Sequence, residues 1–246
     1  MSCFVLKCIA LVTMIIDHVG LVFFPTTWWI REIGRLSFPI YAFLLAQGLI
    51  HTRSKPKYAL RLLAFGIISE VPHDLACKGK FLEWTSQNIM FELLAGLIVL
   101  WCIDVIISKE SRWWQRVICI IPIVPVTFLS AYLSLSYGVY GIALMVGYYI
   151  FSKWNPFKKC SPLAALSGSG ITYAFNGVRV WRFTAFGKLL KILSINTIQM
   201  YAIYSGIPIL FYNGKPGKYK LKWFFYTIYP VHLLILYFIA KAMGIR

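Results

Sequence analysis

The sequence predicts an all-α integral membrane protein, a polytopic helical bundle of about nine transmembrane spans. Three observations carry that expectation. The 246 residues are 59% hydrophobic and only 13% charged, with a mean hydropathy of +0.71. An ordinary soluble domain is about a quarter charged. Apolar runs long enough to cross a bilayer follow one another along the chain. The 25 Lys and Arg residues, against 8 Asp and Glu, sit in short clusters between those runs, as in multi-pass membrane proteins. That distribution excludes a nucleic-acid binder, which would gather its bases on one polar face of a soluble fold. A disordered chain and an ordinary cytosolic globule are excluded with it.

A span needs about 20 mostly apolar residues. The runs are 3–24, 32–50, 58–77, 88–107, 116–134, 137–152, 161–176, 195–212 and 223–242. The first is read as a retained span, because it has no small-residue cleavage site and carries Asp17 and His18 near its end. Arg31, Glu32 and Arg35 stand at the start of the second. The third carries Glu70, His73 and Asp74 around Pro72, and the fourth opens on Asn88 and Glu92. An uncharged turn at 135–136 separates the fifth from the sixth. The seventh is short and rich in Gly and Ser (SGSGITYAFNG), which suits either a span or a re-entrant segment. In residues 181–194 (WRFTAFGKLLKILS), Phe and Leu alternate with Lys, as in a helix lying on the membrane surface. The eighth begins with Asn196 and Gln199, and the ninth holds Tyr229, Pro230 and His232. Nothing resembles a soluble domain, so residues 1–246 are expected to form a single membrane domain.

Orientation follows from the short loops. The loops at 51–57, 108–116, 153–160 and 213–222 are basic and share one side of a nine-span bundle. That side is expected to be the cytoplasm, with the N-terminus on it. Arg179, Arg182, Lys188 and Lys191 disagree, since they would lie outside. The six cysteines form no CxxC pair and have no His at ligand spacing, so no metal site is expected.

Ionisable residues inside a bilayer are costly and need partners, a wet cavity or a job. With this topology Asp17, His18, Arg31, Arg35, Glu70, Asn88, Glu92, Tyr229 and His232 all fall in the outer half of the bilayer. Glu70, His73 and Asp74 share a helix face, as do Arg31 with Arg35 and Asn88 with Glu92. A buried ion-pair network, for example Arg35 with Glu92 or Glu70, is the competing explanation for any one of them.

The first span is the most informative. Lys7 and His18 are eleven residues apart, which returns to within about 20° of one face and spans about 16 Å. One stripe thus presents a cation at the cytoplasmic edge and an imidazole deep in the membrane. The cation suits phosphate, and the imidazole suits proton transfer. A long ligand with phosphates at one end and a reactive group at the other, such as acyl-coenzyme A, matches both. Asp17 points about 100° away from His18, and Thr13 is an equally good candidate partner for the ring. Pro230 kinks the helix that carries His232, which favours a pocket wall there. His51, in a basic loop, is expected to be solvated.

The blocks KCIALVTMIIDHVG, REIGRLSFPIYAFLLAQGLIHTR, KYALRLLAFGIISEVP, QNIMFELLAGL, YGVYGI, FYNGKPGK and FFYTIYPVHLLILYFI resemble, in order, the TraX family of membrane proteins. The namesake of that family is the F-pilin N-acetyltransferase of conjugative plasmids. The family is similar in turn to transmembrane acyltransferases, including the acyltransferase-3 proteins, which use an acyl-coenzyme A donor and a membrane-embedded histidine. The resemblance implies a transmembrane acyltransferase-like bundle in the bacterial inner membrane. It implies His18 of DHVG as the catalytic histidine, with Asp17 as an orienting or charge-stabilising group. Arg35 takes the arginine of GRLSFPIYAF, and Tyr229 and His232 occupy YPVHLL. Lys7 and His18 keep an R-x10-H spacing with Lys in place of Arg, which loses the bidentate fork for phosphate.

The expectation is an acyl-CoA-dependent O- or N-acyltransferase, with acetyl-CoA as donor and no metal. His18 is the expected general base and His232 a second acid–base group. Lys7, Arg31, Arg35, Glu70, Asn88, Glu92 and Tyr229 are expected around donor and substrate, with Arg35 or Asn88 stabilising the oxyanion. The acceptor is an amine or hydroxyl at the outer side: a peptide N-terminus, a glycan or a small molecule. Membrane lipids are expected partners and nucleic acid is not. A proton-coupled transporter and a non-catalytic pilus-assembly scaffold are the alternatives.

Overall fold

The computed structural model describes residues 1–84, 86–133, 135–153, 161–180, 197–219 and 221–245. The expected surface helix at 181–194, and Asn196, lie outside the described residues. Local chemistry sets the helix starts. Helix α1 (Cys3–Phe23) begins where Ser2 Oγ accepts the Val5 amide at 3.4 Å, a side-chain N-cap. Helices α2 (Trp28–Gly34) and α3 (Ser37–His51) form one run broken at Arg35 and Leu36. Helix α4 (Lys55–Lys78) starts on a Ser54 cap with Pro56 in its first turn and stops at Gly79, whose φ is 69°. That left-handed stop suits glycine. Helix α5 (Ile89–Ile107) is capped by Asn88, whose Oδ1 accepts the Met90 amide at 3.0 Å.

Pro122 divides the fifth run into α6 (Trp113–Ile120) and α7 (Ile123–Tyr132). Helices α8 (Gly138–Lys153) and α9 (Ser161–Val180) follow, so the Gly/Ser-rich seventh run is helical. The eighth run is not a regular α-helix: a 3-10 helix over Thr197–Ser205 leads into a short α10 (Gly206–Leu210). Helix α11 (Lys222–Ala242) closes the chain and contains Pro230.

These elements form an all-α membrane protein. Among the described residues, five stretches are long and apolar enough to cross a bilayer: Cys3–Phe23, Trp28–His51, Ile89–Ile107, Trp113–Tyr132 and Lys222–Ala242. The expected count of nine exceeds these five. Helix α4 carries too much charge, α8 is only 16 residues long, α9 is diluted by Gly, Ser and Asn, and the eighth run is broken. Val117 and Ile120 on α6, and Val124 and Phe128 on α7, are more than half exposed. Such a face is stable only against lipid or another apolar surface.

Contacts between loops show which helix ends lie together. The carboxylate of Asp104 near the end of α5 takes Lys55 at the start of α4, and Lys153 and Tyr149 at the end of α8. The Cys3 and Phe4 amides donate to Lys215 and Pro216 carbonyls at 2.8 and 3.2 Å. At the opposite end Gln87 bridges to Leu135, and Ser136 Oγ donates to the Gln87 carbonyl at 3.2 Å. The basic loops at 51–57 and 213–222 flank one cavity, described below. Between the ends, Tyr140, Tyr148 and Tyr149 are fully buried, and Phe43 meets Tyr148 edge-on at 5.6 Å.

Candidate active site

The polar residues expected at one level of the bundle fall into three groups. His18 on α1 and His232 on α11 meet directly: His18 Nδ1 lies 2.8 Å from His232 Nε2. The rings are 5.0 Å apart and tilted by 35°. His232 Nδ1 lies 2.8 Å from the Ile228 carbonyl one turn earlier. Tyr229 packs beside both, 6.3 Å from the His18 ring and 5.7 Å from that of His232. Its hydroxyl reaches the Ile89 backbone. His232 is 5% exposed and Tyr229 2%, so both are inside the bundle, while His18 is half-buried. The ring of His18 is therefore held by neither candidate suggested by its own helix. Thr13 Oγ1 donates back to the Ile9 and Ala10 carbonyls at 2.9 and 3.2 Å.

Asp17, expected as an orienting group for His18, belongs to the second group. Its carboxylate pairs with Arg35 and lies 3.8 Å from Arg31 Nε. Arg35 Nη1 also donates to Gln199 Oε1 at 3.5 Å. The competing ion pair, Arg35 with Glu92 or Glu70, is thus not the one formed. Geometry explains the choice: α2 folds back onto α1, and Gly34 lets the backbones approach. Arg35 Nε has no hydrogen-bond partner among the described residues.

The third group ties helices together. Asn88 Nδ2 donates to the Gly66 carbonyl at 2.8 Å and to the Glu70 carboxylate, while its Oδ1 caps α5. Both amide hydrogens are used, so Asn88 has none left for an oxyanion. Glu92 is fully buried and accepts the Gly138 amide at 3.0 Å and the Tyr137 amide at 3.4 Å. Asp74 takes Lys78 at 2.9 Å, His73 Nδ1 at 3.3 Å and the Glu83 amide at 2.7 Å. Asn88 and Glu70 bind α5 to α4, and Glu92 binds α5 to the start of α8.

At the basic end lies a cavity of about 620 Å³, the size range of a cofactor site. Lys7, Arg53, Arg61 and Lys222 contribute to its walls, with Tyr41, Tyr58 and Tyr226. Met90 and Leu93 line it too, and His18 and His232 do not. His51, expected to be merely solvated, is also in the wall, its Nδ1 lying 2.8 Å from the Gln47 carbonyl. Lys7 Nζ sits 5.5 Å over the Phe225 ring. The α1 stripe that carries Lys7 and His18 therefore faces α11 at both levels. Sequence reasoning missed Tyr58, Tyr226 and Lys222. The usable signal was spacing, since Tyr58 and Arg61 are i, i+3 and Lys222 and Tyr226 are i, i+4. It missed Asp104 too, an acid among basic loops.

Fold and site together define a polytopic helical membrane protein with a hydrogen-bonded histidine pair and a basic cavity. The chain belongs to the TraX protein family, whose model matches residues 2–240. It is similar to the probable fimbrial assembly protein FimC, serogroup H1, of Dichelobacter nodosus, at 26% identity over 249 residues, with 96% of this chain and 94% of that one covered. It is also similar to protein TraX of Escherichia coli, at 27% identity over 165 residues, covering 66% of this chain and 61% of that one. No solved structure matches it significantly.

Proposed function

We propose that the protein is an acyltransferase of the bacterial inner membrane. In this reading it moves an acyl group, acetyl first among candidates, from cytoplasmic acyl-coenzyme A to an amine or hydroxyl at the outer side. The observation that carries it is the α1 stripe: Lys7 lines the basic cavity, and half-buried His18 is hydrogen-bonded to the buried His232 at 2.8 Å. The N-terminus and the basic loops are assigned to the cytoplasm by their positive charge.

The donor phosphates lie against Lys7, Arg61 and Lys222, where three cations offer charge-assisted hydrogen bonds. The acyl end reaches past Tyr41 and Met90 toward Tyr229, which packs beside the histidine pair. His18 takes a proton from the acceptor nitrogen or oxygen as that atom bonds to the thioester carbon. The carbon–sulfur bond then breaks, and the thiolate leaves with the proton that His18 returns. Arg35 Nε–H, unpartnered among the described residues, is the donor suited to the oxyanion. Asn88, already saturated, is not.

The names of the relatives support a pilus-related setting, so the first acceptor to try is a pilin-like peptide with a free amino terminus. The test uses purified protein in nanodiscs with radiolabelled acetyl-CoA and that peptide. Label should pass to the peptide, and His18→Ala should abolish transfer at unchanged folded yield. Transfer retained in His18→Ala would remove His18 from the chemistry. Absence of both transfer and donor binding in the wild type would overturn the enzyme reading.

A further inference from the structure

We infer that His232 is a positioning residue: it fixes the tautomer of His18 and leaves the His18 Nε2 lone pair as the proton acceptor of the site. The kinetic consequence rests on the acyl-transfer reading, whereas the tautomer rests on hydrogen-bond geometry alone.

The geometry runs outward from the main chain. His232 Nδ1 lies 2.8 Å from the Ile228 carbonyl. A carbonyl oxygen only accepts, so Nδ1 carries the hydrogen. In a neutral ring Nε2 is then bare and accepts in turn. His18 Nδ1 lies 2.8 Å from that nitrogen, so His18 carries its hydrogen on Nδ1 and donates it. Neutral His18 is left with a bare Nε2. The order is Ile228 carbonyl, His232, His18, then an open lone pair. No carboxylate is hydrogen-bonded to either ring among the described contacts: Asp17 is taken by Arg35 and Glu70 by Asn88. A catalytic histidine is often oriented by a carboxylate or a main-chain carbonyl on its second nitrogen. Here a second imidazole, itself anchored to a carbonyl, performs that task from 214 residues away in the chain.

When His18 takes a proton on Nε2, its Nδ1–H remains bonded to His232, which spreads the positive charge over both rings. The other titratable or charged neighbours of His18 are His73 from α4, Arg31 and Arg35 at α2, and Tyr229 from α11. None of them is its hydrogen-bond partner in the structure.

The test labels histidine nitrogen-15 in the full-length protein in nanodiscs and assigns the rings with His18→Ala and His232→Gln. Both wild-type rings should carry hydrogen on Nδ1 with Nε2 bare. His232→Leu should release His18 toward the Nε2–H tautomer and lower kcat by about 10²-fold, with KM for the donor within about 2-fold of wild type. His232→Gln, whose side-chain carbonyl can accept the His18 Nδ1–H, should recover about tenfold of the loss. A wild-type His18 protonated on Nε2 would overturn the positioning role, even if His18→Ala is inactive and the enzyme reading stands. Conversely, active His18→Ala protein with the expected wild-type spectrum would overturn His18 as proton acceptor, and with it the kinetic role of His232, while the tautomer assignment stands. A wild type that neither transfers nor binds donor would overturn the enzyme reading and leave the tautomer intact. Should His232→Leu fail to fold, the wild-type spectrum and His232→Gln still decide.

Discussion

Gly34 lies against Asp17 so closely that a Cβ added at position 34 would sit 2.3 Å from Asp17 Cβ and 2.7 Å from its Cα. The contact is with backbone as well as side chain, so rotation of Asp17 cannot relieve it. This approach brings the α2–α3 junction over α1 and sets Arg35 on the Asp17 carboxylate. Gly34→Ala should therefore push α2 away from α1 and lower stability by about 1–3 kcal/mol. A thermal melt in detergent reads it, and an unchanged midpoint would show that the approach is not obligatory.

The Asp17–Arg35 pair predicts strong coupling. Asp17→Asn leaves Arg35 and Arg31 short of their counter-charge, whereas Asp17→Asn with Arg35→Gln removes both sides of the pair. The double variant should be more stable than the sum of the two single losses by about 1 kcal/mol or more. Chemical denaturation of the four proteins closes the cycle. Additivity within about 0.3 kcal/mol would mean that the pair carries no net interaction.

Cations in the cavity predict an effect on binding rather than on chemistry. Arg61→Ala and Lys222→Ala should each raise KM for the acyl donor about tenfold with kcat nearly unchanged, the signature of lost uniform binding. Arg112→Ala, on the exposed loop before α6, serves as control. Equal effects at all three positions would point to bulk charge instead of a built site.

Tyr229 predicts a change in selectivity. On the proposed acyl route its ring is a partition: it packs beside the His18–His232 pair with its hydroxyl on the Ile89 backbone, one residue before Met90 of the cavity wall. Tyr229→Leu should thin that partition and shift the ratio of kcat/KM for butyryl over acetyl donor upward by about tenfold. Tyr229→Phe keeps the ring and should leave the ratio alone. A ratio that moves equally in both variants would deny the ring this role.

Much of the helix pattern was legible because each apolar run carries its own signal. Hydropathy over about 20 residues, the Asn88 cap before α5 and the Gly79 stop after α4 are local properties. The eighth run was harder to read. Its composition is apolar enough for a span, yet Thr197–Ser205 winds as a 3-10 helix, and nothing in composition separates the two windings. The meetings of Asp17 with Arg35 and of His18 with His232 were compatible with the expectation that these groups share one level, since that expectation comes from counting residues between the basic loops.

By itself, then, the sequence determined a helical membrane chain, its basic loops and the set of ionisable groups within its apolar runs. Which group holds which was decided only by the folded packing. Asp17 and His18 are chain neighbours, yet one side chain turns to Arg35 and the other to His232. Rotation of 100° per residue separates neighbours on a helix, and the partner of each depends on which helix comes to lie against that face. Hydropathy leaves that arrangement open, because lipid and apolar helix surfaces satisfy an apolar face almost equally well. Close contacts such as Gly34 on Asp17 and Asn88 between α4 and α5 select one packing from the many that the apolar pattern allows.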